Sequence, residues 1–260
     1  MIASLSPTDR AKYICAARAA EFVQSGMKVG LGTGSTAAWL VKVLGEKVQK
    51  GELTFQGVPT STRTAELARQ VGIDVITLQE AGWLDLTIDG ADEFDPALNL
   101  IKGGGGALLQ EKIVAKASDR MIVIADAAKR VDALGAFPLP VEVTPFGWPV
   151  TQKHIANTLA DLGYEPKGIS PRMNGDALYV TDEGNHILDI KMGVIKDAPL
   201  LAATLNNLAG VVETGLFIDI CSSVVIGHED GRAELTDLAN GTQVDDRSAL
   251  LQEKNIFADL

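Results

Sequence analysis

The sequence predicts an α/β fold: a mostly parallel, Rossmann-like sheet with helices on both faces, plus a smaller inserted α+β domain of ferredoxin-like character. Three observations point there. From residue 8 to residue 129, short apolar runs alternate with helix-like runs, the pattern of strands buried on both faces by helices. The first apolar run, residues 27–31, opens into Gly32-Thr33-Gly34-Ser35-Thr36 and then a helix. At residues 137–145 prolines cluster and the composition shifts, which marks a domain boundary. The expected main α/β domain is residues 1–138 and 209–260, and the expected small α+β domain is residues 139–208.

Each element follows from local chemistry. Residues 8–24 read as a helix: Ser6-Pro7 supplies its start, Ala11, Ile14, Cys15, Ala19, Phe22 and Val23 recur at helical spacing, and Ser25-Gly26 ends it. Strand 27–31 leads through the glycine–hydroxyl turn to a helix at 37–47. A second strand, 53–58, runs into Pro59-Thr60-Ser61-Thr62-Arg63-Thr64, whose hydroxyls either cap the helix at 65–71 or line a pocket. Further strands are expected at 74–78, 83–88 and 121–125. In the small domain, residues 141–143 give a strand, 150–162 a helix and 168–172 a strand; 178–181 and 186–190 give a hairpin, and 199–208 a second helix. Residues 210–216 and 218–226 are expected to return to the main sheet, and 233–260 to be polar with a helical C-terminal portion.

Composition narrows the function. Of 260 residues, 46% are hydrophobic and 22% charged, ordinary for a globular domain. A formal net charge of −11 argues against a nucleic-acid partner, which would need a basic face. An anionic small molecule needs only a local positive pocket, with Lys102 a candidate member. Cys15 and Cys221 sit in apolar contexts and read as buried reduced thiols. His154, His186 and His228 lie far apart without zinc-ligand spacing, so no metal site is expected. Residues 1–10 lack a basic segment followed by an apolar core, and no apolar run reaches the length of a membrane span. A cytoplasmic location and no membrane partner are expected.

The chemistry concentrates in one stretch. Strand 83–88 delivers Asp89-Gly90-Ala91-Asp92-Glu93 to a strand end, where open α/β sheets bind ligands. Lys102 and the glycines 103–106 follow, then a helix-like run from 107 to 117 that carries Glu111. Consecutive glycines cost backbone entropy, which backbone that approaches a ligand or aims N–H groups at an anion would justify. The turn at 32–36 fits the G-x-G-x-x-G pattern at best in its loosened form, with Ala37 last, and does not meet the P-loop, so it signals an anion more than a dinucleotide. Plain readings stand beside these: a solvated turn for DGADE, a flexible connector for the glycines, an N-cap for 32–36, a solvated pair for Glu111-Lys112 and a surface cation for Lys129.

GTGST at 32–36, DGADE at 89–93, KGGGGALLQEK at 102–112, and Ala125-Asp126-Ala127-Ala128-Lys129 ahead of FPLPVEV at 137–143 together resemble the ribose-5-phosphate isomerase family, type A. The likeness holds in order and spacing from about residue 8 to about residue 228. It implies interconversion of D-ribose 5-phosphate and D-ribulose 5-phosphate in the non-oxidative pentose phosphate pathway, with no cofactor and no metal. It implies Glu111 as catalytic base, and Asp89 and Asp92 as carboxylates at the sugar end. Lys102 with Gly103, Gly104 and Gly105 would form the loop around the reacting carbons, beside Gly90 and Ala91. Thr33, Gly34, Ser35, Thr36 and Lys129 would be substrate and phosphate contacts. The expected partner is a phosphosugar, and the expected assembly a homo-oligomer, dimer or tetramer. Gly106 stands where many relatives carry alanine, and Leu109-Gln110 where some carry Thr-Arg.

The residue types suit aldose–ketose isomerisation. A proton moves between C2 and C1 through an enediolate, and one positioned carboxylate can take and return it. Backbone N–H groups and the Lys102 ammonium can stabilise the developing oxyanion. A second group, Asp89, would open the sugar ring, and Lys129 with Ser35 and Thr36 would hold the phosphate. Two other classes are to be weighed: a phosphosugar-sensing module that keeps the loop and loses the base, and an acyl- or CoA-transferase-like enzyme with a glutamate nucleophile.

Overall fold

The structure, a computed structural model, describes residues 2–253. The described residues pack as two compact units. One holds the chain up to Gly90, then Ile113–Lys129, then the residues from Ile220 on; the other holds Ala91–Lys112 and Arg130–Asp219.

The first unit is built on an eight-stranded sheet. Its strand order is Gly241–Asp246, Arg232–Asp237, Cys221–Gly227, Met121–Asp126, Leu86–Gly90, Lys28–Leu31, Gln56–Pro59 and Asp74–Val75. From Cys221–Gly227 onward all neighbours are parallel; the first two strands add an antiparallel hairpin at one edge. Val29, Leu31, Ile88 and Ile124 point to one face and meet Ile14, Leu40 and Leu44 of the helices Pro7–Ala19 and Ser35–Gln49. Val58, Leu84 and Val114 form a separate buried cluster. It lies on the Gly30 side, since Gly30 pairs with Val58 and a Cβ on Gly30 would lie 2.7 Å from Val114. Helices thus cover both faces. Strand order reverses between Lys28–Leu31 and Leu86–Gly90, the kind of switch point outside whose carboxyl ends ligands bind.

The second unit contains a four-stranded antiparallel sheet ordered Val211–Thr214, Leu139–Val143, His186–Ile190, Ile169–Pro171. The helices Trp148–Asp161 and Ala198–Asn206 complete the βαββαβ order of a ferredoxin-like fold. Val141, Val143, Ile155, Leu159, Leu188, Ile190, Leu201 and Leu205 form its core. A small sheet of Leu216–Phe217, Leu100–Ile101 and Glu93–Phe94 belongs to the same unit.

Several elements differ from expectation. Packing draws residues 91–112, 130–138 and 209–219 into the second unit, beyond the expected boundaries at 138 and 208. Strand pairing explains this: Leu216–Phe217 pairs with Leu100–Ile101, and Val211–Thr214 pairs with Leu139–Val143 rather than joining the main sheet. Residues 178–181 do not form a hairpin with 186–190. Ala177–Leu178 closes on Met173–Asn174, and His186–Ile190 lies between two other strands that bury Leu188 and Ile190. The strand expected at 74–78 stops at Val75, because Thr77 and Glu80 form a capping box that starts the helix Leu78–Ala81. The polar stretch from 233 forms the edge hairpin, and its expected helical portion is a short turn at Ser248–Gln252. The rest of that expectation, residues 254–260, lies outside the described residues.

Candidate active site

In the first unit residues 33–36 and 89–90 lie at the switch point. Asp89 ends the strand Leu86–Gly90 and is fully buried. Its Oδ1 accepts hydrogen bonds from the backbone N–H of Thr33 at 3.0 Å and of Gly90 at 2.7 Å. Gly32 permits this approach: a Cβ there would lie 2.0 Å from Asp89 Oδ1 and 2.6 Å from Asp89 Cα. Gly34, at φ 107°, precedes the helix Ser35–Gln49 in a conformation that L side chains rarely adopt. That helix start, with Ser35 exposed and Thr36 half-buried, has the leading N–H groups that bind anions.

The Thr33 hydroxyl is engaged with Thr60 Oγ1 at 2.8 Å, Ser61 Oγ at 2.8 Å and Thr64 Oγ1 at 3.2 Å. Ser61 also caps the helix Thr62–Gln70. The run 60–64 therefore caps a helix and braces Thr33. Lys129, half-buried, ends the turn Ala127–Lys129 after the strand Met121–Asp126, which pairs alongside Leu86–Gly90.

The second unit carries the other expected residues. Lys102 follows the strand Leu100–Ile101 and Glu111 lies on the helix Leu108–Lys116. Their charged ends stand 3.4 Å apart with 2% and 4% side-chain exposure. Each offsets the cost of burying the other, a cost that runs to several kcal/mol for an uncompensated ion. Lys102 Nζ also lies 5.4 Å from the centre of the Phe217 ring. Between these two residues the glycines form a turn closed by Gly106 N–H donating to Gly103 O at 3.0 Å. Gly104 N–H donates to Asp92 Oδ2 at 2.8 Å, and a Cβ on Gly104 would strike that carboxylate at 2.6 Å. Gly105 is exposed and Ala91 half-buried. At Gly106 the Tyr179 hydroxyl fills the space of a side chain, 2.2 Å from where a Cβ would sit. So Glu111 is a buried, paired carboxylate rather than half of a solvated Glu–Lys pair.

Sequence reasoning missed several groups. Lys112 is buried, and its ammonium donates to Glu213 Oε1 at 2.7 Å, Thr214 O at 2.6 Å and Leu216 O at 2.8 Å. It ties the helix of Glu111 to a distant strand. Glu93, the third acid of DGADE, accepts from the N–H groups of Gly135 and Phe137 and is structural. Arg172 reaches the glycine turn, where its Nη1 donates to Gly103 O at 2.7 Å and Gly104 O at 3.2 Å. Asp189 holds that guanidinium through two hydrogen bonds, at 2.9 and 2.5 Å. No motif marks Arg172; a lone charge inside an expected strand was its only trace. Among the described residues no group of three or more His, Cys, Asp and Glu side chains could hold a metal ion.

Comparison with known proteins identifies the family. A family model described as ribose 5-phosphate isomerase A (phosphoriboisomerase A) matches residues 56–231. The ribose-5-phosphate isomerase A of Ruegeria pomeroyi is 62% identical over 260 residues, covering 100% of this chain and 99% of that protein. The ribose 5-phosphate isomerase A structure from Methanocaldococcus jannaschii superposes with a TM-score of 0.76 at 38% identity, covering 91% of this chain and 98% of that one. A D-ribose-5-phosphate isomerase solved in complex with phospho-erythronic acid gives a TM-score of 0.80 at 36% identity, covering 93% of this chain and 100% of the other.

Proposed function

Because this chain belongs to the ribose 5-phosphate isomerase A family and isomerises ribose 5-phosphate, we propose the following division of labour among its residues. Glu111 is the base that carries the proton between C2 and C1. The supporting observation is its burial beside Lys102 immediately after the glycine turn. A carboxylate on a helix is held in place more firmly than one on a mobile loop, and placement governs proton transfer. The Lys102 ammonium and backbone around Gly103, Gly104 and Gly105 stabilise the enediolate oxygens as charge develops. Asp89 opens the sugar ring. Asp92 holds sugar hydroxyls, and Gly90 and Ala91 offer backbone contacts. Ser35, Thr36, Gly34 and Lys129 hold the phosphate, with Thr33 setting the turn they stand on.

This route needs a base and charge stabilisation, and the side chains supply both. The test is conversion of ribose 5-phosphate to ribulose 5-phosphate by protein treated exhaustively with EDTA. Full turnover is expected. Loss on chelation, restored by a divalent ion, would overturn the metal-free route. Phospho-erythronic acid carries a carboxylate and a phosphate, as an enediolate phosphate carries two anionic ends, and should inhibit competitively.

The same reading places the enzyme in the cytoplasm; no described helix is long and apolar enough to cross a membrane. It also makes the enzyme a homo-oligomer, a dimer or tetramer. Exposed Phe146, Val150 and Leu200 support that assembly, and light scattering would test it.

A further inference from the structure

We propose that Arg172, held by Asp189, is a positioning residue that aims the glycine turn's peptide planes at the substrate; the inference rests on the isomerase reading above. In a trans peptide the C=O and the following N–H point in opposite directions, so fixing one fixes the other. Arg172 Nη1 holds Gly103 O at 2.7 Å, which turns the Gly104 N–H the other way, onto Asp92 Oδ2 at 2.8 Å. It holds Gly104 O at 3.2 Å, which turns the Gly105 N–H away from the guanidinium on the exposed part of the turn. One guanidinium thereby orders a sugar-binding carboxylate and a candidate oxyanion donor together.

The side chain suits the task. Its Nε and Nη2 form a fork with Asp189, at 2.9 and 2.5 Å, leaving Nη1 for the two carbonyls. A lysine cannot satisfy both sides, because it has one nitrogen where arginine has a planar fork. Asp189 offsets the charge, so the clamp adds little net charge near Lys102 and Glu111. Tyr179 lies beneath the guanidinium, 6.0 Å from ring centre to Cζ, and its hydroxyl meets Gly105 O at 3.5 Å. Two strands of the ferredoxin-like sheet supply the anchor, with Asp189 on one and Arg172 directly after the other.

The experiment compares wild type, R172A, R172K and D189N in steady-state conversion of ribose 5-phosphate, with melting curves for each. A misaimed donor weakens the transition state more than the ground state, whereas a displaced Asp92 weakens both, so R172A should lose about ten- to a hundredfold in kcat with a smaller rise in KM. R172K should remain at least fivefold down in kcat, and D189N should fall between it and wild type. Guanidinium ion at millimolar concentration should restore part of the R172A turnover. Should R172A fail to fold, R172K and D189N decide the matter. Wild-type kcat in folded variants would overturn the clamp. So would a loss of kcat that tracks the loss of folded protein without guanidinium rescue. Lack of activity in the wild type would instead sink the isomerase reading, so the two failures are distinguishable.

Discussion

Lys102 Nζ lies 3.4 Å from Glu111 Oε2, and the two side chains are 2% and 4% exposed. A buried ion pair costs desolvation on both partners, and replacement by apolar residues is often neutral or stabilising. A role in turnover gives a reason for this chain to keep it. Glu111→Gln should still fold, at a cost in stability because it leaves the Lys102 ammonium uncompensated, and still bind substrate, while losing about a hundred- to ten-thousandfold in turnover, the range of general-base catalysis. Near-normal turnover in a folded variant would remove Glu111 from the role. Lys102→Ala should lose turnover and also about 3–5 kcal/mol of stability, because it leaves a buried carboxylate uncompensated. Denaturant midpoints read the second effect.

Gly32→Ala tests the contact that seats Asp89. The new Cβ would lie 2.6 Å from Asp89 Cα, and a clash with backbone cannot be relieved by turning a side chain. The strand end must shift, breaking the Thr33 N–H to Asp89 bond. A loss of about 1–3 kcal/mol, the usual cost of overpacking, is expected together with a fall in turnover. A melting temperature and kcat both equal to wild type would contradict the geometry.

Glu142 predicts a pH dependence of stability. It is fully buried on the strand Leu139–Val143, where its Oε1 accepts from Thr181 Oγ1 and Asn185 Nδ2, both at 2.9 Å. Burial raises its pKa above the ordinary 4.5, against the opposing pull of those two hydrogen bonds. A carboxyl raised in the folded state binds its proton more tightly there than in the unfolded chain. Stability from this group is therefore greatest below the unfolded value near 4.5 and falls as pH rises through the folded one. Glu142→Gln keeps an acceptor for the two donors and removes the ionisation. Its melting temperature relative to wild type should rise between acidic and neutral pH. A difference independent of pH would refute the assignment.

The local placement of the candidate site's residues was legible in the sequence, and their supports were not. Gly32-Thr33-Gly34-Ser35-Thr36 and Asp89 announce themselves because strand, turn and helix start are consecutive residues. Lys102, the glycines and Glu111 are likewise contiguous enough for one motif to carry them. Arg172 reaches Gly103 across 69 positions, and Lys112 reaches Glu213 across 101, so no window of sequence holds both ends. Residues 211–214 look equally apolar whichever sheet they join, since strand character does not name the partner strand. The helix Leu78–Ala81 is a different case: Thr77 and Glu80 spell its capping box, but residues 74–78 suit a strand equally well on apolar pattern alone.

Lys129→Ala should mainly raise KM for ribose 5-phosphate. Lys129 ends the turn Ala127–Lys129 beyond the strand Met121–Asp126. That strand pairs with Leu86–Gly90, the next one on from Lys28–Leu31, whose turn carries Ser35 and Thr36. The three turns leave the same edge of the parallel sheet. Thr36 Cβ is 4.0 Å from where a Cβ on Gly90 would sit, so two of them meet there. A helix start supplies N–H donors to a phosphate, and the ammonium of a half-buried lysine at a neighbouring strand end supplies charge. A phosphate far from the reacting carbons is held alike in ground and transition states, so its loss appears in KM rather than kcat. A charge-assisted contact contributes about 1.5–3 kcal/mol, or about ten- to a hundredfold in KM. Unphosphorylated ribose should feel the substitution far less. Steady-state kinetics of both proteins on both sugars decide it. Equal KM effects on the two sugars would mean Lys129 does not read the phosphate. A pure kcat loss would move Lys129 to the reacting end of the substrate.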